Sequence, residues 1–377
     1  MKKIAIIGAS YLQLPLVQKA KELGLYTICF AWADGAVCKE VADKFYPISI
    51  VEKEEILSIC QNEKIDGVCT IASDVAAPTV AYIAEQMGLT ANSYDAAVRA
   101  NDKYLMRQAF SAAGVDCPQY MHIDKDTNIA AFVASAPAHL ALPLIVKPAD
   151  RSGSLAVTKI TDYADLQATI EQAQRVSFKK EVMVEEFIDG REISVEFISY
   201  QGKHYPLQIT DKVTTEAPHF VELAHHQPTT LSAAQVAAIY AITERALDAL
   251  GLTNGASHSE YKITATGRVV VMEIGGRMGG DFIGSDLVQL STGYDFLKGV
   301  LHAALGDFEV PRLTMQACSG VYFLSAETPQ VQQYITHAAE HPEIVRAEQT
   351  DSELRHVTCS SERSGYFIYQ SKQRFEI

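Results

Sequence analysis

Short apolar runs alternate with helically spaced ones along the first hundred residues. Residues 4–7, 26–30 and 67–71 are compact apolar runs, whereas residues 12–23, 54–61 and 76–87 carry helical patterns. This order predicts βαβαβα, a parallel sheet wrapped by helices. From Asn101 the pattern changes: Asp102 is placed to cap a helix that ends near Gly114. A strand at 144–148, a loop at 150–154, a helix at 163–175 and strands at 182–187 and 193–200 follow, a unit of α+β character. Residues 231–250 form a long helical stretch stopped by Gly251. Strands at 257–263 and 268–274 are joined by Thr264-Ala265-Thr266-Gly267, and the tail adds a strand at 320–324, a helix at 330–341 and a strand at 365–370. The fold class is therefore α/β, becoming α+β after the first domain.

Composition bounds the partners. With 377 residues, 48% hydrophobic and 21% charged, the chain exceeds one simple core and predicts two or three packed units. A formal net charge of -14 gives no electrostatic reason to bind nucleic acid or an anionic membrane. The seven cysteines, scattered and never in a CxxC pair, read as reduced structural thiols of a cytoplasmic protein. Two lysines before an apolar run share the order of a signal peptide, but Gly8 and Ser10 cut the run short and it reads as a buried strand. The richest apolar window, 130–146, holds Pro137, His139 and Pro143, so no membrane span is expected. A homodimer is the expected assembly, since symmetric dimers are frequent among soluble enzymes.

Candidate chemistry gathers at a few places. In the 257–274 hairpin, an even loop would set Ile263 opposite Arg268 and Glu260 opposite Val271, making Glu273 the diagonal neighbour of Glu260 on one face. An odd loop or a bulge would throw the two to opposite faces. Paired carboxylates suit Mg²⁺ shared with nucleotide phosphates, against the alternative of two exposed strand acids. Directly after Glu273 come Gly275, Gly276, Arg277, Gly279 and Gly280, which let backbone approach a ligand while a guanidinium reaches phosphate or carboxylate oxygens. Lys147 closes a strand before the small polar loop Ser152, Gly153, Ser154, which fits a phosphate cradle or a solvated strand end. The extended segment Glu185, Glu186, Phe187, Ile188 offers backbone groups and an apolar wall to an adenine, with Glu192 placed for ribose hydroxyls. The turn from Gly8 to Gln13 keeps only the first glycine of GxGxxG, a weak dinucleotide signal.

Taken in order, Lys103 on a helix, Lys147 before its Ser/Gly loop, the 185–192 segment, the His258 to Lys262 strand and the Met272 to Gly280 glycine run resemble the ATP-grasp superfamily across residues 1 to about 310. The resemblance implies a βαβ pre-ATP-grasp domain at 1–95, a helix and lid subdomain at 96–190, a catalytic subdomain at 191–310 and a C-terminal α+β portion at 311–377. It implies that Lys103 and Lys147 contact ATP phosphates, Ser152 to Ser154 form the lid, and Glu185 to Ile188 line the adenine. It also implies that Glu192 binds ribose and that Glu260 and Glu273 hold Mg²⁺, with Mn²⁺ as substitute. Arg277 looks like the arginine that stabilises the transferring phosphoryl group. Many members carry an Asn ligand where this chain has Gly275, a gap that Glu222 is placed to fill. Glu222 and His225 resemble a pair in the amino-acid ligases of the superfamily, against a solvated loop reading for His225 and His226. The implied reaction is an ADP-forming carboxylate-amine ligation through an acyl-phosphate, on small carboxylate and amine substrates such as amino acids. A purine-biosynthetic or carbamoyl-phosphate-type enzyme and a non-catalytic ATP-binding protein are the alternatives.

Overall fold

The computed structural model describes residues 1–151, 155–215 and 219–377. The first domain is the expected parallel sheet. Strands β1 (Lys3–Ile7), β2 (Tyr26–Phe30), β3 (Lys44–Tyr46) and β4 (Gly67–Cys69) lie in the order β3-β2-β1-β4, all parallel. Helices α1 (Leu14–Glu22), α2 (Lys53–Glu63) and α3 (Ala77–Met87) wrap it. Both faces of β1 are sealed, with Ile4 and Ile6 in one core and Ala5 and Ile7 in another, which explains its unbroken apolar run. The turn after β1 is filled from within: Gln13 accepts from the Ser10 backbone N–H and hydroxyl and donates to Ile71 O at 2.7 Å. That accounts for the incomplete glycine signature.

Two helices then abut at Asp102. The helix α4 (Tyr94–Asn101), absent from the sequence expectation, ends where α5 (Lys103–Ala113) begins, and the Asp102 carboxylate accepts from the N–H groups of Tyr104 and Leu105. A second sheet, ordered β5-β8-β6-β7, is built from β5 (Tyr120–Ile123), β6 (Leu144–Pro148), β7 (Thr158–Ile160) and β8 (Val182–Glu186), with α6 (Ile129–Ser135) and α7 (Leu166–Val176) packed on it.

The largest sheet runs β13-β12-β9-β10-β11-β14-β16-β15. Its strands are β9 (Arg191–Tyr200), β10 (Lys203–Thr214), β11 (Glu222–Gln227), β12 (Gly255–Ile263), β13 (Val269–Gly275), β14 (Cys318–Leu324), β15 (Ile344–Gln349) and β16 (Gly365–Ser371). The segment from Cys318 onward thus extends the same sheet that carries the central hairpin. Helix α8 (Ala233–Leu250) begins in a capping box between Ser232 and Gln235 and stops at Gly251, whose φ is 76°. It covers one face of the sheet: Ile239, Leu247 and Leu250 pack with Ile193, Val195, Phe197, Tyr261, Val271 and Ile274. Helices α9 (Val288–Thr292) and α10 (Phe296–Ala304) link this layer to the first domain, and α11 (Val331–Thr336) packs under the last strands.

Strand alternation sends the remaining side chains to the opposite face. Glu196 and Ser194 on β9, His258 and Glu260 on β12, and Glu273 on β13 form a polar field there. All seven cysteines are free, four of them buried. Among the described residues no helix is long and apolar enough to cross a membrane.

Candidate functional site

The carboxylate pair forms, by a different route from the expected one. Ile263 pairs with Val269 rather than Arg268, so the connection is odd, and a bulge at Met272 adds a second shift. Each shift moves the register by one residue. Together they restore the parity that either alone would destroy, and Glu260 stands directly opposite Glu273 rather than diagonal to it. Two carboxylates at about the 5 Å Cα spacing of a direct antiparallel pair make a hard oxygen site. Among the described residues no three His, Cys, Asp or Glu side chains gather as a metal cluster by themselves, so a cation here would draw its other oxygens from phosphate and water.

Lysines bracket the pair. Lys103 Nζ donates to Glu273 Oε1 at 3.0 Å, and Lys212 Nζ to Glu260 Oε1 at 2.7 Å. Lys212 also lies 3.3 Å from Glu222 Oε1, so Glu222 stands across an ammonium from Glu260 rather than beside the pair as a third ligand. Burial would drive the Lys212 pKa down, but Glu260 and Glu222 outweigh it and hold the ammonium charged; the Lys212 charge in turn holds Glu260 well below the usual carboxylate range. Neither Lys212 nor His258 was singled out from the sequence. His258 sits between Glu196, which its Nδ1 contacts, and Glu260, 3.4 Å from its Nε2. Burial lowers its pKa, yet the Glu196 charge and both hydrogen bonds win and raise it to about 9, leaving an imidazolium that fixes Glu260 from behind.

Beneath the lysines lies a buried triad. Arg107 Nε donates to Glu185 Oε1 at 2.8 Å and Lys147 Nζ lies 2.7 Å from Glu185 Oε2. Burial pushes the Glu185 carboxyl up, but the Arg107 and Lys147 charges overcome it and bring the pKa to about 2. Arg107 also donates to the carbonyl of the bulged Met272 at 2.8 Å, tying α5, β8 and β13 together. The Glu185 side chain is thus committed to the protein itself.

A cavity opens over this triad, lined by Lys103, Lys147, Glu185, Phe187, Ile188, Glu192, Lys212, Glu260 and Glu273. Phe187 and Ile188 form its apolar wall, and Glu192, 3.0 Å from Lys262, its polar rim. Alternation along β8 turns the Glu186 side chain away from the cavity, where it accepts from Arg268 at 3.0 Å and from the Gln119 N–H. The candidates Ser152, Gly153 and Ser154 lie outside the described residues.

A second, more polar cavity shares Lys212, Glu222 and Glu260 with the first and adds His225, Arg277, Asp281 and, from the first domain, Ser73 and Asp74. His225 and His226 are consecutive strand residues on β11, not a solvated loop, so they face opposite sides. His226 is held by Tyr369 at 2.9 Å, while His225 lines the cavity, 3.8 Å from Asp281. Both ring nitrogens of His225 are buried without a hydrogen-bond partner, and burial lowers its pKa, so the imidazole is neutral. Asp281 is gripped by Arg363 through two bonds of 2.8 and 2.9 Å, a contact from the C-terminal portion that the sequence did not signal. Arg277 donates to Asp74 Oδ2 at 2.6 Å.

Residues 140–286 match the family described as ATP-grasp domain. The chain is 29% identical over 249 residues to the alanine–anticapsin ligase of Bacillus subtilis (strain 168), covering 60% of this chain and 51% of that protein. It is 30% identical over 220 residues to a D-alanine–D-alanine ligase of Aromatoleum aromaticum, covering 55% of this chain and 66% of that one. The chain spans about half the length of the alanine–anticapsin ligases it matches. An L-amino acid ligase structure from Bacillus licheniformis shares the fold over 99% of this chain and 94% of that one, with a TM-score of 0.81 and 23% identity. Residues 140–286 therefore carry an ATP-grasp domain, and the fold of the whole chain is that of the L-amino acid ligase structure. The relatives and the neighbouring structure named above are ligases.

Proposed function

We propose that the chain is an ATP-dependent carboxylate-amine ligase that activates a small carboxylate, such as an amino acid, as an acyl-phosphate and joins it to an amine. The observation that carries this reading is the pair of adjoining cavities sharing Glu260, Lys212 and Glu222, one with an apolar wall and lysines, the other with Arg277 and an unpartnered neutral His225. Phosphoryl transfer needs little beyond positioning and charge stabilisation, which such a junction supplies.

In this reading Phe187 and Ile188 hold the adenine with the backbone of Glu185 and Glu186, and Glu192 meets the ribose. Lys103 and Lys147 meet the phosphates. Glu260 and Glu273 hold Mg²⁺, which supplies charge neutralisation to the phosphates when bound. The substrate carboxylate attacks the γ-phosphorus, the bond to the β–γ bridging oxygen breaks, and ADP leaves. Arg277 faces the oxygens of the transferring group and then of the acyl-phosphate. The amine next attacks the acyl carbon and phosphate departs, with the amine proton passing to His225, whose burial keeps it neutral and able to accept. Glu222 orients the amine.

A panel of amino acids given to the protein with ATP and Mg²⁺ tests the proposal through ADP and phosphate release. Amino-acid-dependent release of both is expected. Tight ATP binding without turnover in every panel would replace it with a non-catalytic nucleotide-binding role.

A further inference from the structure

Arg277 is not free to meet an incoming anion, because Asp74 already holds it. The contact crosses from the first domain to the glycine-rich loop, with the two side chains 14% and 13% exposed. It is anchored on both sides: Ile71 bridges to Met278, and the Ala72 N–H donates to Met278 O at 3.0 Å. The hold on Arg277 is one-sided. Asp74 takes Nη2 at 2.6 Å, Nη1 reaches only Met278 O at 3.4 Å, and Nε is buried with no partner. A guanidinium built for bidentate grip of an oxyanion is therefore engaged by a single strong bond.

Gly275 explains how Asp74 gets there. A Cβ at position 275 would lie 2.4 Å from Asp74 Oδ1, closer than such atoms come. Gly275 pairs with His258 and lies on the same face as the Glu260 and Glu273 pair. Where Gly275 has no side chain, the first domain places a carboxylate. Asp74 and Arg277 line the polar cavity together, so an anionic group arriving at Arg277 meets a carboxylate of its own sign beside it.

We infer that Asp74 is a positioning residue for Arg277: it occupies the guanidinium as an internal stand-in for the anionic group, and Gly275 is the residue that admits it. The inference rests on the reading of Arg277 as the group that faces phosphoryl oxygens. Asp74 aims the guanidinium and weakens its hold on an anion until substrate competes the carboxylate away.

Calorimetric titration of inorganic phosphate into the full chain, without nucleotide, measures this competition with no turnover involved. Asp74→Asn keeps the shape and removes the charge, and is expected to bind phosphate about tenfold more tightly than the parent. Adding Arg277→Met to it should abolish the gain. Gly275→Ala crowds the Asp74 carboxylate without deleting it and should reproduce part of the gain, so the test survives if Asp74→Asn does not fold. A gain below threefold in the folded variants, or one that persists without Arg277, overturns the inference. Once a turnover substrate is in hand, Asp74→Asn should lower KM for the carboxylate and kcat together, since ground-state binding improves while aim is lost. A merely structural role would leave KM unmoved. If no ligation is found at all, the phosphate titration still decides the role of Asp74, so the two failures are separable.

Discussion

At the residue scale, charges hold one another in place around the opposed glutamates. Glu273→Gln removes one carboxylate of the proposed Mg²⁺ pair and leaves Lys103 without its carboxylate partner, and is expected to cut ADP release by about 10²-fold or more while the fold persists. Near-normal rates in that variant would remove Glu273 from the metal site. His258 gives a pH signature. Its folded pKa of about 9 lies above its ordinary 6.5, so its contribution to stability is complete below pH 6.5 and is lost as pH rises through 9. Urea melts should therefore show stability falling across that window, and His258→Gln should flatten the fall. A parent protein equally stable at both ends would contradict the Glu196–His258–Glu260 chain. Glu185→Gln strands two buried cations and should cost about 3–5 kcal/mol in the same melts. Lys147 and Arg277 were singled out in the sequence at a strand end and among glycines, Glu260 and Glu273 as acids on the two strands of one hairpin, and Lys103 through the family resemblance. Lys212, Glu196, His258, Arg107 and Asp74 were not. Each sits in an ordinary strand, helix or loop pattern, and only tertiary pairing gives it a partner.

Elements were more readable than their registers. Three first-domain strands and its helices, α5, α8 and the central hairpin follow from apolar spacing and caps, whereas β3, α4, β5, α6, β7, β10, β11, α9, α10 and β15 did not emerge. Strand β10 mixes charged and apolar positions because it crosses from the α8-covered face to the polar cavity, and β11 carries two histidines that imitate a loop. The hairpin shows the limit most clearly: the loop residues do not reveal an odd connection, and nothing in Val271-Met272-Glu273 announces a bulge. That the glutamates still meet follows from two register shifts adding to one strand period. Helix α8 offers a clean check on the reading of its start. Ser232→Ala deletes the capping box and should cost about 1 kcal/mol in denaturant melts with turnover unchanged, while no loss of stability would count against the cap.

For the whole molecule, three sheets converge on one polar face. The first domain brings Asp74 to it, the small sheet brings Lys147 and the apolar wall, and the large sheet brings the glutamates, Lys212 and His225. Its last strands return Arg363 to the same cavity, so the C-terminal portion helps to build the site. A cavity with cations and carboxylates interleaved in this way suits zwitterionic substrates better than plain acids or amines. The most direct measurement is a mass-spectrometric search for the condensed product when the protein is incubated with ATP, Mg²⁺ and mixed amino acids. The account predicts an amide whose mass equals two substrates less one water, formed with stoichiometric ADP and absent in Glu273→Gln. Nucleotide consumption with no condensed product from any mixture would contradict it.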